Sequence, residues 1–236
     1  MNYALTFILS GMLLIAIACT APAKSTTPAI RYYMLNSKTI KIAVIDTGID
    51  LNNVKVNICE GGLIDVYGTG IQDTEGHGQN IAHAIASHLK DKNYCIYIIK
   101  YTEGANTNRE ETIKAFKMAK SLGVHIVNYS AGGLGVNMEE YNVLKDMTAT
   151  IVTAAGNNHQ DLSENCNYFP ACYDLKNIIV IGSISDDRRI SRFSNYGKYI
   201  DYWYPGEHQF YGGSGRSGTS QATAHATGMI VKRWLK

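Results

Sequence analysis

Two apolar periods alternate along the chain from Lys41 onward. Lys41-Ile42-Ala43-Val44-Ile45 is a nearly unbroken apolar run, the pattern of a strand buried on both faces of a parallel sheet. Residues 94–101, 124–129, 150–154 and 178–181 read as further buried strands. Between them the apolar positions recur at helical spacing. Ile81, Ile85 and Leu89 give a stripe to a helix that opens at Gly76-His77-Gly78. Residues 108–122 form a second helix, with Asn108 as cap, Ile113, Phe116 and Ala119 inward, and Gly123 as its stop. Residues 137–147 form a third. Residues 219–234, rich in alanine and other small residues, read as a buried helix entered through the Gly/Ser loop 214–218. Strands and helices alternating at these lengths predict an α/β fold: a doubly wound, mainly parallel sheet flanked by helices. Residues 40–236 show no internal repeat and no second domain.

The first 39 residues lack this pattern. Residues 5–18 are apolar except for Thr6, Ser10 and Gly11, short for a membrane span of about 20 residues. Small residues follow at Ala18 and Ala21-Pro22-Ala23, which predicts a secretory signal over residues 1–23 with cleavage after Ala23. Ala16-Ile17-Ala18-Cys19 also has the form of a lipoprotein signal, in which Cys19 is acylated and stays at the membrane. No Lys or Arg precedes the run, and an uncleaved anchor is the third reading. Residues 24–39 form a linker or N-terminal arm, too short to fold as a propeptide domain.

Composition adds three constraints. With 236 residues, 45% hydrophobic and 18% charged, the chain suits one globular domain with a sizeable core. A net charge of +2 without a long basic run gives no reason to expect nucleic acid or an anionic membrane surface as partner. Five cysteines suit an exported protein once Cys19 is lost or lipidated, since four remain. Four allow three pairings. Cys166 and Cys172 share one short loop and make the natural pair, leaving Cys59 with Cys95; free buried thiols are the alternative in a cytosolic chain.

Four polar residues stand where strands end or helices begin. Asp46 follows the first strand, and the carboxyl ends of parallel strands are where open α/β sheets build sites; alone it is a turn residue. His77 lies in the first turn of its helix; alone it is a surface histidine. Asn157 follows Ala154-Ala155-Gly156; alone it is a turn asparagine. Ser220 opens the last helix, where backbone N–H groups and the dipole favour negative charge; alone it is an N-cap serine. The surrounding wording says more. Ala-Val-Ile-Asp-Thr-Gly-Ile-Asp at 43–50, Gly-His-Gly-x-x-Ile-Ala at 76–82, Ala-Ala-Gly-Asn at 154–157 and Gly-Thr-Ser-x-Ala-Thr-x-His-x-x-Gly at 218–228 resemble the aspartate, histidine, oxyanion and nucleophile motifs of subtilisin-like serine proteases (subtilases). Phe193-Ser194-x-x-Gly197 and Pro205-Gly206 resemble further landmarks of that family, and the order Asp, His, Ser is the subtilisin order. The resemblance runs from about Lys41 to Gly228.

That resemblance implies an exported serine endopeptidase whose catalytic domain spans 40–236, acting on polypeptides as a monomer. It implies Asp46, His77 and Ser220 as a triad, with Asn157 and the Ser220 N–H as oxyanion donors. Residues 127–133, with Ser130, Ala131 and Gly132 at their end, resemble the strand to which an extended substrate adds. Asn-Tyr-x-Pro-Ala at 167–171 resembles the proteinase K-like wall of the pocket for the side chain before the scissile bond. Tyr168 at its floor implies uncharged side chains of modest size, against the competing reading that Asp161 or Glu164 points inward and selects Lys or Arg. The segment after His77 leaves little room for the family's calcium insertion, so neither cofactor nor metal is expected. No Gly-x-Ser-x-Gly elbow and no His-Glu-x-x-His occurs, which argues against an α/β-hydrolase esterase and a zinc protease. Departures from the family pattern are Gln79-Asn80 for Thr-His, His83 for Gly and Ala224 for Pro; changed helix packing is the expected consequence. They lend weight to the alternative of a catalytically weakened subtilase fold that serves as a peptide-binding module.

Overall fold

In the computed structural model, which describes residues 39–90, 93–104 and 109–236, β1 (Ile40–Asp46) is the strand from which the sheet winds in both directions. The expected signal, residues 24–38 of the arm and the expected cap Asn108 lie outside the described residues. After β1 come β2 (Ile58–Asp65), α1 (His77–Ser87), β3 (Tyr94–Lys100), α2 (Arg109–Ser121) and β4 (Ile126–Tyr129). The chain continues through β5 (Gly133–Leu134), α3 (Met138–Lys145), β6 (Thr150–Ala154), β7 (Tyr168–Phe169) and β8 (Ile178–Ile184). It closes with β9 (Tyr202–Pro205), β10 (Gln209–Tyr211), β11 (Ser214–Arg216) and α4 (Thr219–Trp234).

The main sheet has seven strands in the order β2-β3-β1-β4-β6-β8-β9, and every neighbouring pair is parallel. From β1 the chain fills β3 and β2 on one side, then returns to place β4 on the other. The winding therefore reverses between β1 and β4, and at such a switch point a crevice opens beyond the strands' carboxyl ends. Side chains of β1 alternate between two cores. Ile42 and Val44 face α1 and α4, while Ala43 and Ile45 face α2 and α3. Each fully buried Ile or Val stabilises the fold by about 1.5–3 kcal/mol, which is why the two-sided strands show as unbroken apolar runs. The small residues of α4 let it lie close to both the sheet and α1. Its hydroxyls are satisfied in place: Thr223 Oγ1 donates to Thr219 O at 2.7 Å and Thr227 Oγ1 to Asn128 Oδ1 at 2.9 Å.

The sequence pattern misses four short strands and the two edges. β2 carries Glu60-Gly61-Gly62, shifts register between Ile58 and Leu63, and has a mixed burial pattern. β9 is an aromatic segment, Tyr-Trp-Tyr-Pro, only half buried. The hairpins β5–β7 and β10–β11 consist of two- and three-residue strands. α1 ends at Ser87, two residues before the buried Leu89, and α3 stops at Lys145 rather than 147. Asn137 caps α3, its side chain accepting from the Glu139 and Glu140 N–H groups. Both expected disulfides are present. Cys59–Cys95 ties β2 to β3 with Cα atoms 4.8 Å apart, and Cys166–Cys172 closes the loop around β7 with Cα atoms 5.5 Å apart. Among the described residues no helix is long and apolar enough to cross a membrane, and no group of three or more His, Cys, Asp or Glu side chains is placed to hold a metal ion.

Candidate active site

The crevice at the switch point receives Asp46 from the end of β1 and Ser130 from just beyond β4, since Ile45 pairs with Tyr129 in the register. α1 begins immediately against this edge. A Cβ on Gly78 would lie 2.4 Å from Gly48 O and 3.2 Å from Asp46 Cβ, so only glycine fits there. The close approach delivers His77 to Asp46, with Nδ1 and Oδ1 2.7 Å apart. Asp46 is 4% exposed and His77 23%. Asp46 Oδ1 also accepts from Thr47 N at 2.8 Å. Burial pulls the His77 ring down, but the Asp46 carboxylate, by charge and hydrogen bond, more than offsets it; Glu75 adds to the rise and Arg216 opposes it. The imidazolium is therefore easier to form here than in water.

Two residues not singled out in the sequence, Asp73 and Thr47, fix the start of α1. Gly76, which precedes it, has left-handed φ and no side chain to cap the helix. Asp73 does so from outside the cap position: Oδ2 accepts from Gln79 N at 2.8 Å, and Oδ1 from Gly76 N at 2.7 Å and Thr47 Oγ1 at 2.9 Å. Thr47 Oγ1 in turn accepts from Gly78 N at 2.8 Å. The available signals were an acid just upstream of a helix start and a threonine directly after Asp46.

Ser220 sits in the first turn of α4, 8% exposed. Its Oγ donates to Ser130 O at 2.8 Å and makes no hydrogen bond to His77. Ser130 Oγ donates to Ser220 O at 3.1 Å and accepts from Asn128 Nδ2 at 2.9 Å. A closed chain of buried polar groups, Thr227–Asn128–Ser130–Ser220, thus seats the serine against the strand edge. Catalytic hydrogen bonds often tighten only once substrate is present.

Asn157 ends the segment after β6. Its Oδ1 accepts from both Thr219 N and Thr219 Oγ1 at 2.9 Å. Because a backbone N–H can only donate, the amide is oriented with Nδ2 as its free end. Asn195, from the Phe-Ser-Asn-Tyr-Gly landmark, holds this segment: Nδ2 donates to Ala155 O at 2.8 Å, and Oδ1 accepts from Asn158 N and Gln160 N.

Asp46, His77, Ser130 and Asn157 line one cavity of about 470 Å³ together with Glu75, Ala131, Gly132 and Tyr168, while Ser220 lies behind Ser130 and is not part of the lining. Tyr168 is on β7, which pairs antiparallel with β5 just beyond Gly132. Its ring lies against bare backbone; a Cβ on Gly132 or Gly156 would stand 2.5 or 3.0 Å from Tyr168 Cε1. Burial pushes the Tyr168 hydroxyl up to about 12, so it is neutral. Asp161 and Glu164 are exposed and do not line the cavity. Asp161 instead accepts from Ser163 N at 2.8 Å, which holds its carboxyl low.

The departures in α1 and α4 have packing roles away from the Asp46–His77 contact. Gln79 accepts from Asp50 N and donates to Asn53 O. Asn80 donates to Tyr211 O and Ser214 O and accepts from Gln221 Nε2. His83 is half-buried beside Gln79, and Ala224 is buried in the α4 core. They give no support to a binding-only role.

Known structures share this fold. A cold adapted subtilisin-like serine proteinase aligns with a TM-score of 0.66 and 25% identity, over 80% of this chain and 72% of that one. A lanthipeptide protease shares the fold at a TM-score of 0.68 and 22% identity, over 80% and 71% of the two chains. Fold and site together define a subtilisin-like serine protease. The model of the Subtilase family matches residues 37–234, and the chain belongs to that family. It is 31% identical to the Major intracellular serine protease of Bacillus subtilis (strain 168), over 84% of this chain and 69% of that protein. It is 26% identical to Subtilisin DY of Bacillus licheniformis, over 80% and 74%. The match to the Alkaline proteinase of Hapsidospora chrysogena, at 28% identity, takes in 80% of this chain but only 50% of that protein.

Proposed function

We propose that the chain is an exported serine endopeptidase in which Asp46, His77 and Ser220 act as a triad through an acyl-enzyme. The observation that carries this is the 2.7 Å Asp46–His77 contact, in a cavity that Ser130 and Asn157 also line, with Ser220 held on the Ser130 carbonyl. Asp46 holds His77 Nδ1–H and leaves Nε2 as the base. The Ser220 hydroxyl leaves Ser130 O, gives its proton to Nε2 and attacks the scissile carbonyl. Asn157 Nδ2 and the Ser220 N–H, one of the unpaired N–H groups at the start of α4, receive the oxyanion. His77 then protonates the leaving amine, and water repeats the sequence on the acyl-enzyme.

An extended substrate adds along Ser130-Ala131-Gly132 by strand pairing. Tyr168 limits the depth of the pocket for the side chain before the scissile bond. With Asp161 and Glu164 exposed and off the cavity lining, neither is placed to pair with a lysine or arginine there, whose burial without a partner would be costly. The two disulfides support export, since such bonds persist in oxidising compartments. The test is a set of peptides differing only at that position. Ala, Leu and Phe are expected to be cleaved at least about tenfold faster than Arg, a difference of ~1.4 kcal/mol, and Ser220→Ala to abolish every cleavage. Fastest cleavage after Arg, lost in Asp161→Asn or Glu164→Gln, would overturn the specificity; hydrolysis that survives Ser220→Ala would overturn the triad.

A further inference from the structure

One charged contact outside the triad joins the two halves of the site. Glu75 lies two residues before His77, and Arg216 four residues before Ser220. Arg216, the last residue of β11, donates from Nη1 to Glu75 Oε1 at 3.0 Å and from Nη2 to Glu75 O at 2.6 Å. The guanidinium thereby grips both the side chain and the backbone of the turn that enters α1. Glu75 lines the same cavity as His77. The pair is only partly exposed, 27% for Arg216 and 34% for Glu75. Arg216 Nε is buried without a partner, a cost that a loosely tethered surface arginine does not incur. The same hairpin is anchored to α1 a second time, by Asn80 Nδ2 on Tyr211 O and Ser214 O.

We infer that Glu75 and Arg216 form a strap that positions His77 relative to the nucleophile loop and sets the balance of charge around its ring. The inference rests on His77 being the base. The charged groups around the ring are Asp46 from β1, Glu75 from the entering turn and Arg216 from β11. Asp73 sits beneath the helix start, and Tyr101, pushed well up by burial, is neutral on the cavity wall. Glu75 attracts the imidazolium and Arg216 repels it. Removing one charge or the other must therefore move the base in opposite directions.

The acid limb of the kcat/KM profile, measured on an uncharged peptide with the full chain, reads this directly. Glu75→Gln is expected to move the limb to lower pH and Arg216→Met to higher pH, each by about half a unit, as expected of partly screened charges. Arg216→Lys keeps the charge but loses the double grip, so it should lower kcat and leave the limb in place. A strap that is merely structural would lower activity in all three with the limb unmoved. Shifts in the same direction, an unmoved limb in both charge-removing variants, or an Arg216→Lys profile like that of Arg216→Met would overturn the inference. Its failure is distinct from failure of the triad, which shows instead as hydrolysis surviving Ser220→Ala.

Discussion

In the proposed mechanism Asn157 depends on the residue that holds its other end. With Oδ1 taken twice by Thr219, Nδ2 stays free and preoriented, so no reorganisation is needed when negative charge develops. Asn157→Ala is expected to lower kcat by about 10²–10³, a magnitude established on a subtilisin itself, with KM little changed. Thr219→Val should cost less, because Asn157 keeps the backbone N–H; steady-state kinetics on one peptide rank the two, and an equal or larger loss in Thr219→Val would contradict this. Asp46, His77, Asn157 and Ser220 were legible in the sequence because local wording surrounds each. The parts played by Thr47, Thr219 and Asn195, which lie inside the same motifs, and by Asp73, which lies outside them, were not, since they depend on partners brought close only by folding. Asp73 caps α1 from the wrong place in the sequence, behind a left-handed Gly76.

Among the elements, the strands buried on both faces were readable and the edges were not. β1, β3, β4, β6 and β8 are mostly apolar because helices cover both sides of the sheet. β2 and β9 are half-exposed, one broken by Gly61-Gly62 and the other ending in Pro205, so neither carries a clean period. At the β2 edge the Cys59–Cys95 disulfide supplies a tie that an exposed, irregular strand lacks. It closes 36 residues, against six for Cys166–Cys172. Loop-closure entropy assigns about 4 kcal/mol to the first and about 2 to the second. Urea unfolding of paired Cys→Ser variants checks this: the 59/95 pair should lose more stability, and the 166/172 pair should show the larger effect on cleavage, since its loop carries Tyr168. The reverse order of stabilities would contradict it.

At the scale of the whole molecule, the crossing of α1 and α4 carries a built-in sensitivity to acid. His88 Nε2 lies 2.8 Å from His225 Nδ1, and His225 Nε2 lies 2.8 Å from Gln209 Oε1. The Gln209 oxygen can only accept, so His225 carries its proton on Nε2 and accepts from His88 on Nδ1. Burial, with His88 beside it, pulls His225 down to about 4. A second proton on His225 would meet the His88 N–H. The sign follows: the unfolded chain binds that proton more readily, so stability is intact above about pH 6.5 and falls as the pH drops toward 4. The loss reaches up to ~3 kcal/mol for a shift of this size. Urea midpoints at pH 7 and pH 4.5 should therefore differ less in His225→Gln than in the parent; an equal or larger difference would rule the pair out as the source.

A fluorophosphonate probe reads out whether the serine at the head of α4 is activated. The probe loses fluoride only to a nucleophile whose proton a neighbouring base removes. A single adduct is expected, mapped by mass spectrometry to Ser220, absent from Ser220→Ala and strongly reduced in His77→Ala. Folded protein that stays unlabelled, or an adduct on any other residue, would contradict it.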